Sequence, residues 1–234
     1  MEQRKQIKPG LFGLQVSADS RRGEFDIKNE VLLQKNTPID YLFFGDSITH
    51  FWELNAYFHR QGQHIINRGI GGDNTVYAAR RFEADVIQLK PKLCICMIGV
   101  NDAWDLEYDP WSRTEGKSIE EVLERALENY RFMMQKAKEH EIRMAVCSVL
   151  PTNMDFTNHE QEREEYIVRL NSRLKEMCRE FDFLYVDYHS GMVQENGKTI
   201  LDGITCEGLH PNVKGYDIMA GILADTLAEN GYEI

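Results

Sequence analysis

The sequence is short of the features that mark a membrane, a secreted or a nucleic-acid-binding protein. No apolar run approaches the ~20 residues that a membrane-spanning helix needs. Residues 1–6 are followed by no apolar stretch of the kind found in signal peptides. The net charge of −11 disfavours nucleic acid and anionic membrane surfaces as partners. We therefore expect a cytoplasmic protein that binds neither.

The spacings that mark a metal site or a disulfide framework are also missing. Five cysteines make an odd number, and none stands in a CxxC or Cys/His spacing. Cys94, Cys96 and Cys147 lie in apolar runs, so buried reduced thiols are the simplest interpretation. No repeat, low-complexity segment or linker divides the chain. We predict one domain over residues 1–234, with residues 1–40 as a helical extension packed on it.

Five apolar runs alternate with helical patterns along the chain. Strands are predicted at residues 41–44, 64–67, 93–98, 144–150 and 183–187. Helices are predicted near residues 23–34, 48–58, 76–89, 119–139, 161–181 and 213–229. The first of them is expected to bury Phe25, Val31 and Leu32. This alternation predicts a single α/β domain with a five-stranded parallel sheet covered by helices on both faces.

A capping box at Ser118 to Glu121 is expected to start the helix that ends near residue 139. The helix at 161–181 carries an apolar stripe of core residues, Tyr166, Leu170, Leu174 and Met177, and Asn196-Gly197 is a turn signal for a small hairpin.

The first strand ends in the turn Gly45-Asp46-Ser47, and a helix is expected to follow. A small polar residue at the carboxyl end of a buried parallel strand lies where open α/β sheets hold their ligands. Ser47 would also sit beside helix N–H groups, which favour developing negative charge. The structural alternative is that Ser47 only caps this helix.

Later stretches place further glycine and polar residues after predicted strands. The glycine-rich segment around Gly72 is no dinucleotide fingerprint, because Asn74 stands where the last glycine belongs. Asn101 follows the central strand, and His210 lies in a loop before the last helix. Each has a plain structural interpretation as a turn, cap or loop residue. We expect all three to join Ser47 at one edge of the sheet.

These residue types together suit acyl transfer. A serine hydroxyl becomes a good nucleophile once an imidazole takes its proton, and His210 is the best-placed candidate base. The tetrahedral intermediate needs N–H donors, which the Ser47 and Gly72 backbones and the Asn101 side chain could supply. The other six histidines are interpreted as surface or structural residues.

Four motifs resemble those of the SGNH hydrolase superfamily, the GDSL-type esterases and lipases. They run in the family order between residues 41 and 221, and they are Gly45-Asp46-Ser47, residues 69–73, residues 99–102 and residues 208–212. The resemblance implies a flavodoxin-like three-layer α/β/α fold without metal or cofactor, and a small-molecule ester as substrate. It implies Ser47 as nucleophile, Ser47, Gly72 and Asn101 as oxyanion hole, and His210 as base. The GxSxG elbow of α/β-hydrolases is absent.

One position departs from the family pattern. The family places an aspartate three residues before the catalytic histidine, and Glu207 stands there in this chain. We predict that Glu207 orients His210, with Asp202 as the fallback acid. The alternative is that neither carboxylate touches the imidazole, and that a backbone carbonyl or a water molecule orients it.

The resemblance is greatest to platelet-activating-factor acetylhydrolase-like and carbohydrate acetylesterase branches, so we expect short acyl esters, possibly of sugars, as substrates. Asp46 and Trp104 are predicted substrate contacts, and Trp52 and Trp111 are further candidates for stacking on a sugar. Residues 103–117 are interpreted as a loop too irregular to belong to the core, which would form a wall of the site or a surface lid. A thioesterase or lysophospholipase, or an inactive binding module, are the alternatives. The sequence leaves homo-oligomer formation open.

Overall fold

The computed structural model describes residues 6–13, 16–110 and 113–234. The strands are β1 Tyr41–Gly45, β2 Ile65–Gly69, β3 Leu93–Met97, β4 Arg143–Cys147 and β5 Leu184–Val186. The α-helices are α1 Asp19–Lys35, α2 Ser47–Phe51, α3 Leu54–Tyr57, α4 Thr75–Asp85, α5 Ile119–Glu139, α6 Glu160–Phe181, α7 Tyr188–Met192 and α8 Val213–Glu229. Two 3₁₀ helices cover Ile87–Leu89 and Val100–Leu106. Within these ranges, no helix has the length and apolar character that crossing a membrane requires.

The five strands form one parallel sheet in the order β2-β1-β3-β4-β5, flanked by helices. This is the flavodoxin-like order of doubly wound folds, so the predicted fold class is confirmed. β1 pairs with both neighbours in register, and Gly45 stands opposite Gly69 on one side and Met97 on the other. The loops that leave these three strands therefore start at the same edge.

The chain divides into two compact units. The first comprises residues 1–98 and 129–145, and the second comprises residues 99–128 and 146–234. The expectation of one domain over the whole chain stays a prediction.

An aromatic cluster packs against the β1 strand in the first unit. The ring of Phe43 lies 5.7 Å from that of Trp52, edge-on, and 5.6 Å from that of Phe58, stacked. Trp52 is 4% exposed. The suggestion that Trp52 stacks on a substrate is therefore wrong, because its ring is buried in the core.

A buried guanidinium ties together the ends of the first two strands. Arg81 on α4 donates from Nη2 to the carbonyl of Gly45 (2.9 Å) and from Nη1 to the carbonyl of Arg68 (2.9 Å). Its Nε donates to Asp73 (2.7 Å), and Nη1 also reaches Asp85 (3.0 Å). Burial lowers the pKa of Arg81, but the two carboxylates outweigh burial and raise it above its ordinary value. Arg81 therefore stays charged and fully hydrogen-bonded.

The face that α1 buries is mostly polar, and this corrects part of the predicted apolar face. The helix begins at Asp19, before the predicted start, and Val31 is 54% exposed while Leu32 is half-buried. Phe25 is buried as predicted, and Arg22 and Asn29 are buried beside it. Arg22 forms an ion pair with Asp85, so its burial is compensated by a partner 63 residues away.

Several local predictions are confirmed. Ser118 and Glu121 form the expected capping box at the start of α5, each backbone N–H donating to the other's side chain. The turn around Gly197 closes a small hairpin through the bridge from Val193 to Ile200. Cys94, Cys96 and Cys147 are buried as expected, Cys178 is buried as well, and Cys206 is exposed.

The second unit has its own buried polar anchors. The hydroxyl of Tyr166 on α6 donates to the carbonyl of Gly99 (3.1 Å). The amide of Asn171 bonds both the N–H and the carbonyl of Val149, at 2.8 Å each. The apolar stripe predicted on this helix, which includes Leu170 and Leu174, is buried. α6 thus fixes the backbone that follows β3 and β4.

Replacing Arg81 with methionine should lower the free energy of unfolding by about 3–5 kcal/mol, because Asp73 and Asp85 would be left buried without their cation. Urea denaturation measures this change. Arg80→Met is the matched control, since Arg80 is exposed on the same helix, and it should cost under about 1 kcal/mol. Equal losses for the two variants would contradict a structural role for Arg81.

Candidate active site

Ser47 opens α2 immediately after the buried β1 strand. The cap of this helix is Asp46, whose carboxylate accepts from the N–H of Ile48 (3.0 Å). Asp46 therefore caps the helix, so the alternative in which Ser47 serves only as this cap does not hold. Asp46 is 1% exposed, so its predicted role as a substrate contact stays a prediction, made for a side chain that presents almost no surface.

The glycine-rich loop passes directly beside Ser47. A Cβ added to Gly71 would lie 4.0 Å from the Cβ of Ser47, which shows how closely the loop approaches the hydroxyl-bearing residue. Gly72 has φ +75°, a left-handed conformation in which other residues are strained. Asn74 then caps α4 by accepting from the N–H groups of Val76 (3.1 Å) and Tyr77 (3.2 Å). The structure thus brings Ser47 and the Gly72 loop together in the first unit.

In the second unit, the Glu207 carboxylate contacts His210. Nδ1 of the imidazole lies against Oε1 of Glu207, and the same oxygen accepts from the backbone N–H of His210 (3.3 Å). With a carboxylate on Nδ1, the proton is held there and Nε2 carries the lone pair that can take a proton. Asp202 is exposed and accepts from Gln194 (3.3 Å). In the described ranges no bond joins Asp202 to His210.

The loop that carries His210 is tightly closed. The N–H of Cys206 donates to the carbonyl of His210 (2.8 Å), which brings the two ends of the loop together. The N–H of Asn153 donates to the carbonyl of Gly208 (2.8 Å), and a Cβ on Gly208 would collide with the Asn153 backbone. The position of His210 is therefore set by backbone contacts on both sides of Glu207.

Asn101 is the second residue of the 3₁₀ helix Val100–Leu106, and it is half-buried. The interpretation of residues 103–117 as too irregular to belong to the core is wrong for its first part. Ala103 and Leu106 are buried, because the 3₁₀ turn places one side chain in three toward the interior.

A cavity of about 840 Å³ opens beyond this 3₁₀ helix. Three aromatic side chains with exposed surface line it, Trp104, Tyr108 and Phe156. Its carboxylates are Asp105, Glu107, Asp109 and Glu115. Trp111, the remaining candidate for stacking, lies outside the described residues. Because residues three apart eclipse on a 3₁₀ helix, Trp104 shares a face with Asn101.

One face of the Trp104 ring packs against a guanidinium. The guanidinium of Arg163 lies 5.2 Å from the ring centroid and is itself buried. Arg163 is fixed in turn by Glu107, at 3.2 Å. Burial raises the pKa of Glu107, but N–H donors from His159 and Asn158 outweigh it and lower the pKa. Sequence reasoning missed Arg163, and nothing in the local pattern links it to a tryptophan 59 positions earlier.

Clusters of three or more histidine, cysteine or acidic side chains that could hold a metal ion are absent from the residues that the structure describes.

Comparison with known proteins finds matches to a family model, to individual sequences and to solved structures. The model of the GDSL-like lipase/acylhydrolase family matches residues 43–218. An acetylxylan esterase of Geobacillus stearothermophilus is 28% identical over 183 residues, covering 77% of this chain and 78% of that protein. An uncharacterized lipoprotein of Bacillus subtilis is 32% identical over 126 residues, 48% of this chain, and the match spans about half (49%) of that protein.

Among solved structures, a GDSL-like lipase from Bacteroides thetaiotaomicron superposes with a TM-score of 0.73 at 25% identity. The superposition covers 92% of this chain and 100% of that one.

Substituting Glu207 and Asp202 one at a time shows which of the two candidate acids orients His210. Glu207→Gln should lower kcat on p-nitrophenyl acetate by about 10²–10⁴-fold, because the amide cannot stabilise the imidazolium. Asp202→Asn should stay within a few-fold of the wild type. The reverse ranking would show that Asp202 orients His210, and near-wild-type rates in both would show that neither carboxylate does.

Proposed function

The chain belongs to the GDSL-like lipase/acylhydrolase family, and we propose that it is a serine carboxylic-ester hydrolase that works through an acyl-enzyme on Ser47. In this mechanism Ser47 Oγ attacks the ester carbonyl while Nε2 of His210 takes its proton. The imidazolium then protonates the leaving alcohol, and Glu207 stabilises the charged ring. Water repeats the sequence on the acyl-enzyme.

The developing oxyanion needs donors already in position. The backbone N–H groups of Ser47 and Gly72 and the side-chain amide of Asn101 have this role in the proposal. Gly72 suits this role because its left-handed backbone requires a glycine, and because the loop passes beside Ser47 at the preceding Gly71. Preorganised donors of this kind commonly supply about 3–4 kcal/mol each to the transition state.

The contact between Glu207 and Nδ1 of His210 is the observation that carries the proposal. A carboxylate on one imidazole nitrogen is what a general base requires, because it fixes the tautomer and stabilises the protonated ring. A ligand-binding module without catalysis has no use for such a pair in a chain that also carries the family's nucleophile motif. This favours the enzyme over the inactive module.

We further propose short acyl groups, acetyl above all, on a carbohydrate alcohol. The acetylxylan esterase relative supports this class. The cavity beside Trp104 supports it as well, because aromatic faces and carboxylate acceptors are the usual partners of sugar rings and hydroxyls. Its four carboxylates make it unsuited to a long acyl chain, which argues against a lysophospholipase or a long-chain thioesterase.

Within the second unit, the cavity is connected to the segment that carries Asn101 and to the loop that carries His210. Trp104 follows Asn101 by one 3₁₀ turn. Phe156 follows Asn153, whose N–H bonds Gly208 in the loop that carries the base. Arg163 behind the Trp104 ring draws electron density from it, so a neutral sugar is favoured over a cationic ligand on the open face.

Hydrolysis of p-nitrophenyl esters from C2 to C12 tests the reaction and the acyl preference. We expect kcat/KM to fall with chain length and Ser47→Ala to lose at least about 10³-fold, because the acyl-enzyme cannot form. A fluorophosphonate probe should label the wild type and not this variant. An optimum at C8 or longer would favour the lipase or thioesterase alternative. No turnover and no labelling would favour the binding module.

Trp104→Ala tests the sugar site. The ratio of kcat/KM on an acetylated xylo-oligosaccharide to that on p-nitrophenyl acetate should fall about 3- to 10-fold, because a stacking face is lost. Phe132→Ala is the control, since Phe132 is an equally exposed aromatic residue on α5 outside the cavity, and its ratio should not change. An unchanged ratio in Trp104→Ala would remove this residue from the substrate site.

A further inference from the structure

The 3₁₀ helix Val100–Leu106 has three distinct faces, because residues three apart eclipse on this type of helix. Asn101 and Trp104 share one face, which is half-buried at Asn101 and exposed at Trp104. Asp102 and Asp105 share a second face. The third face is apolar and buried, and it consists of Val100, Ala103 and Leu106. The rotation of this helix about its axis therefore decides where the Asn101 amide and the Trp104 ring point.

One guanidinium contacts both carboxylates of the acidic face. Nη1 of Arg125 on α5 donates to Oδ2 of Asp105, and its Nη2 lies 3.9 Å from Oδ1 of Asp102. The Asp102 side chain is fully buried, so solvent and salt screen this attraction little. The planar fork of Arg125 thus holds two successive turns of the 3₁₀ helix against α5. The face that carries Asn101 and Trp104 is thereby directed to another side of the helix.

Asp105 is ionised at neutral pH, as this arrangement requires. Nζ of Lys117 donates to the same Oδ2 that Arg125 contacts, at 2.7 Å. Burial raises the pKa of Asp105, but the hydrogen bonds from Lys117 and Arg125 outweigh burial and lower it. The contact between Arg125 and Asp105 is therefore a pair of full charges.

The ends of the 3₁₀ helix are held through the backbone. The hydroxyl of Tyr166 donates to the carbonyl of Gly99 (3.1 Å), just before the helix begins. Near its other end, the N–H of Lys117 donates to the carbonyl of Asp105 (2.7 Å). A 3₁₀ helix seldom exceeds about four residues, because its hydrogen bonds have poor geometry. This seven-residue example therefore depends on contacts from outside, and Arg125 supplies one to its side chains.

Net stability gives little reason for an arginine at this position. Nε of Arg125 is buried and has no hydrogen-bond partner among the residues that the structure describes. A buried N–H without an acceptor is unfavourable, and the desolvation of a buried ion pair offsets much of its attraction. The contacts of Arg125 are better explained by the segment that they hold in place.

We propose that Arg125 is a positioning residue, which holds the 3₁₀ helix in the rotation that presents the Asn101 amide to the developing oxyanion. This inference rests on the proposed function, in which Asn101 is an oxyanion donor. Arg125 acts through Asp102 and Asp105 and does not itself contact the substrate. Because Trp104 lies on the face of Asn101, the same contact also fixes the orientation of the proposed sugar platform.

Removal of the Arg125 charge tests this role. Arg125→Gln should lower kcat on p-nitrophenyl acetate about 10- to 100-fold and change KM by less than about twofold, because a misplaced donor weakens binding of the transition state more than binding of the substrate. Arg125→Lys should recover part of the loss, since its ammonium keeps the charge but cannot reach both carboxylates. Arg131→Gln, at an exposed position of the same helix, is the control and should keep the wild-type kcat.

A double-mutant cycle with Asn101→Ala separates positioning from a general structural role. Asn101→Ala alone should cost about 10²–10³-fold in kcat, as loss of one oxyanion donor does. If Arg125 acts through Asn101, adding Arg125→Gln to this variant should lower kcat by no more than about twofold further. Losses that multiply in the double variant, or a wild-type kcat in Arg125→Gln, would overturn the positioning role while ester hydrolysis stands.

The inference and the function on which it rests fail in different ways. If Arg125→Gln does not fold, the same cycle with Arg125→Lys decides by the same two results. If the wild type fails to hydrolyse p-nitrophenyl acetate and a fluorophosphonate does not label Ser47, the proposed function is overturned, and the role of Arg125 with it.

Discussion

The charge of Arg81, buried between α4 and the ends of β1 and β2, is the constraint on which the first unit depends. Its N–H groups reach the carbonyl of Gly45, which precedes the Asp46-Ser47 turn, and the carboxylate of Asp73, which follows Gly72. One rigid fork thus fixes the start of one loop and the end of the other. A guanidinium in a low-dielectric interior tolerates no missing acceptor, so these backbone positions are held far more narrowly than apolar packing alone would hold them.

The second unit achieves comparable rigidity with different chemistry. Tyr166 and Asn171 on α6 bond the backbone after β3 and β4, and Arg163 on the same helix pins Glu107 and backs Trp104. Polar anchors on one long helix therefore position both the segment that carries Asn101 and a wall of the cavity. Each unit presents its candidate residues on loops whose ends are tied down, which is the condition for donors and bases to act without reorganising.

Much of the fold could be predicted from the sequence because its signals are local. Five apolar runs became the five strands, and the capping box at Ser118 began α5 as expected. The failures at Arg22 and Trp52 share one physical cause: these side chains have partners on another element of the fold. Arg22 can be buried because it forms an ion pair with Asp85, and no periodicity in the sequence indicates that pair. Trp52 was misread for the same reason, since its aromatic neighbours include a ring on β1. The contact of Glu207 with His210 was predictable because both lie within one loop.

The glutamate at position 207 can be understood from the loop around it. The carboxylate must span from its own backbone to both the N–H and the ring of His210, three residues later. The intervening Gly208 is held in place, because its carbonyl accepts from the N–H of Asn153 and a Cβ at this position would collide with the Asn153 backbone. From this fixed loop the side chain of Glu207 reaches both groups of His210. The departure from the family pattern is therefore compatible with an oriented imidazole.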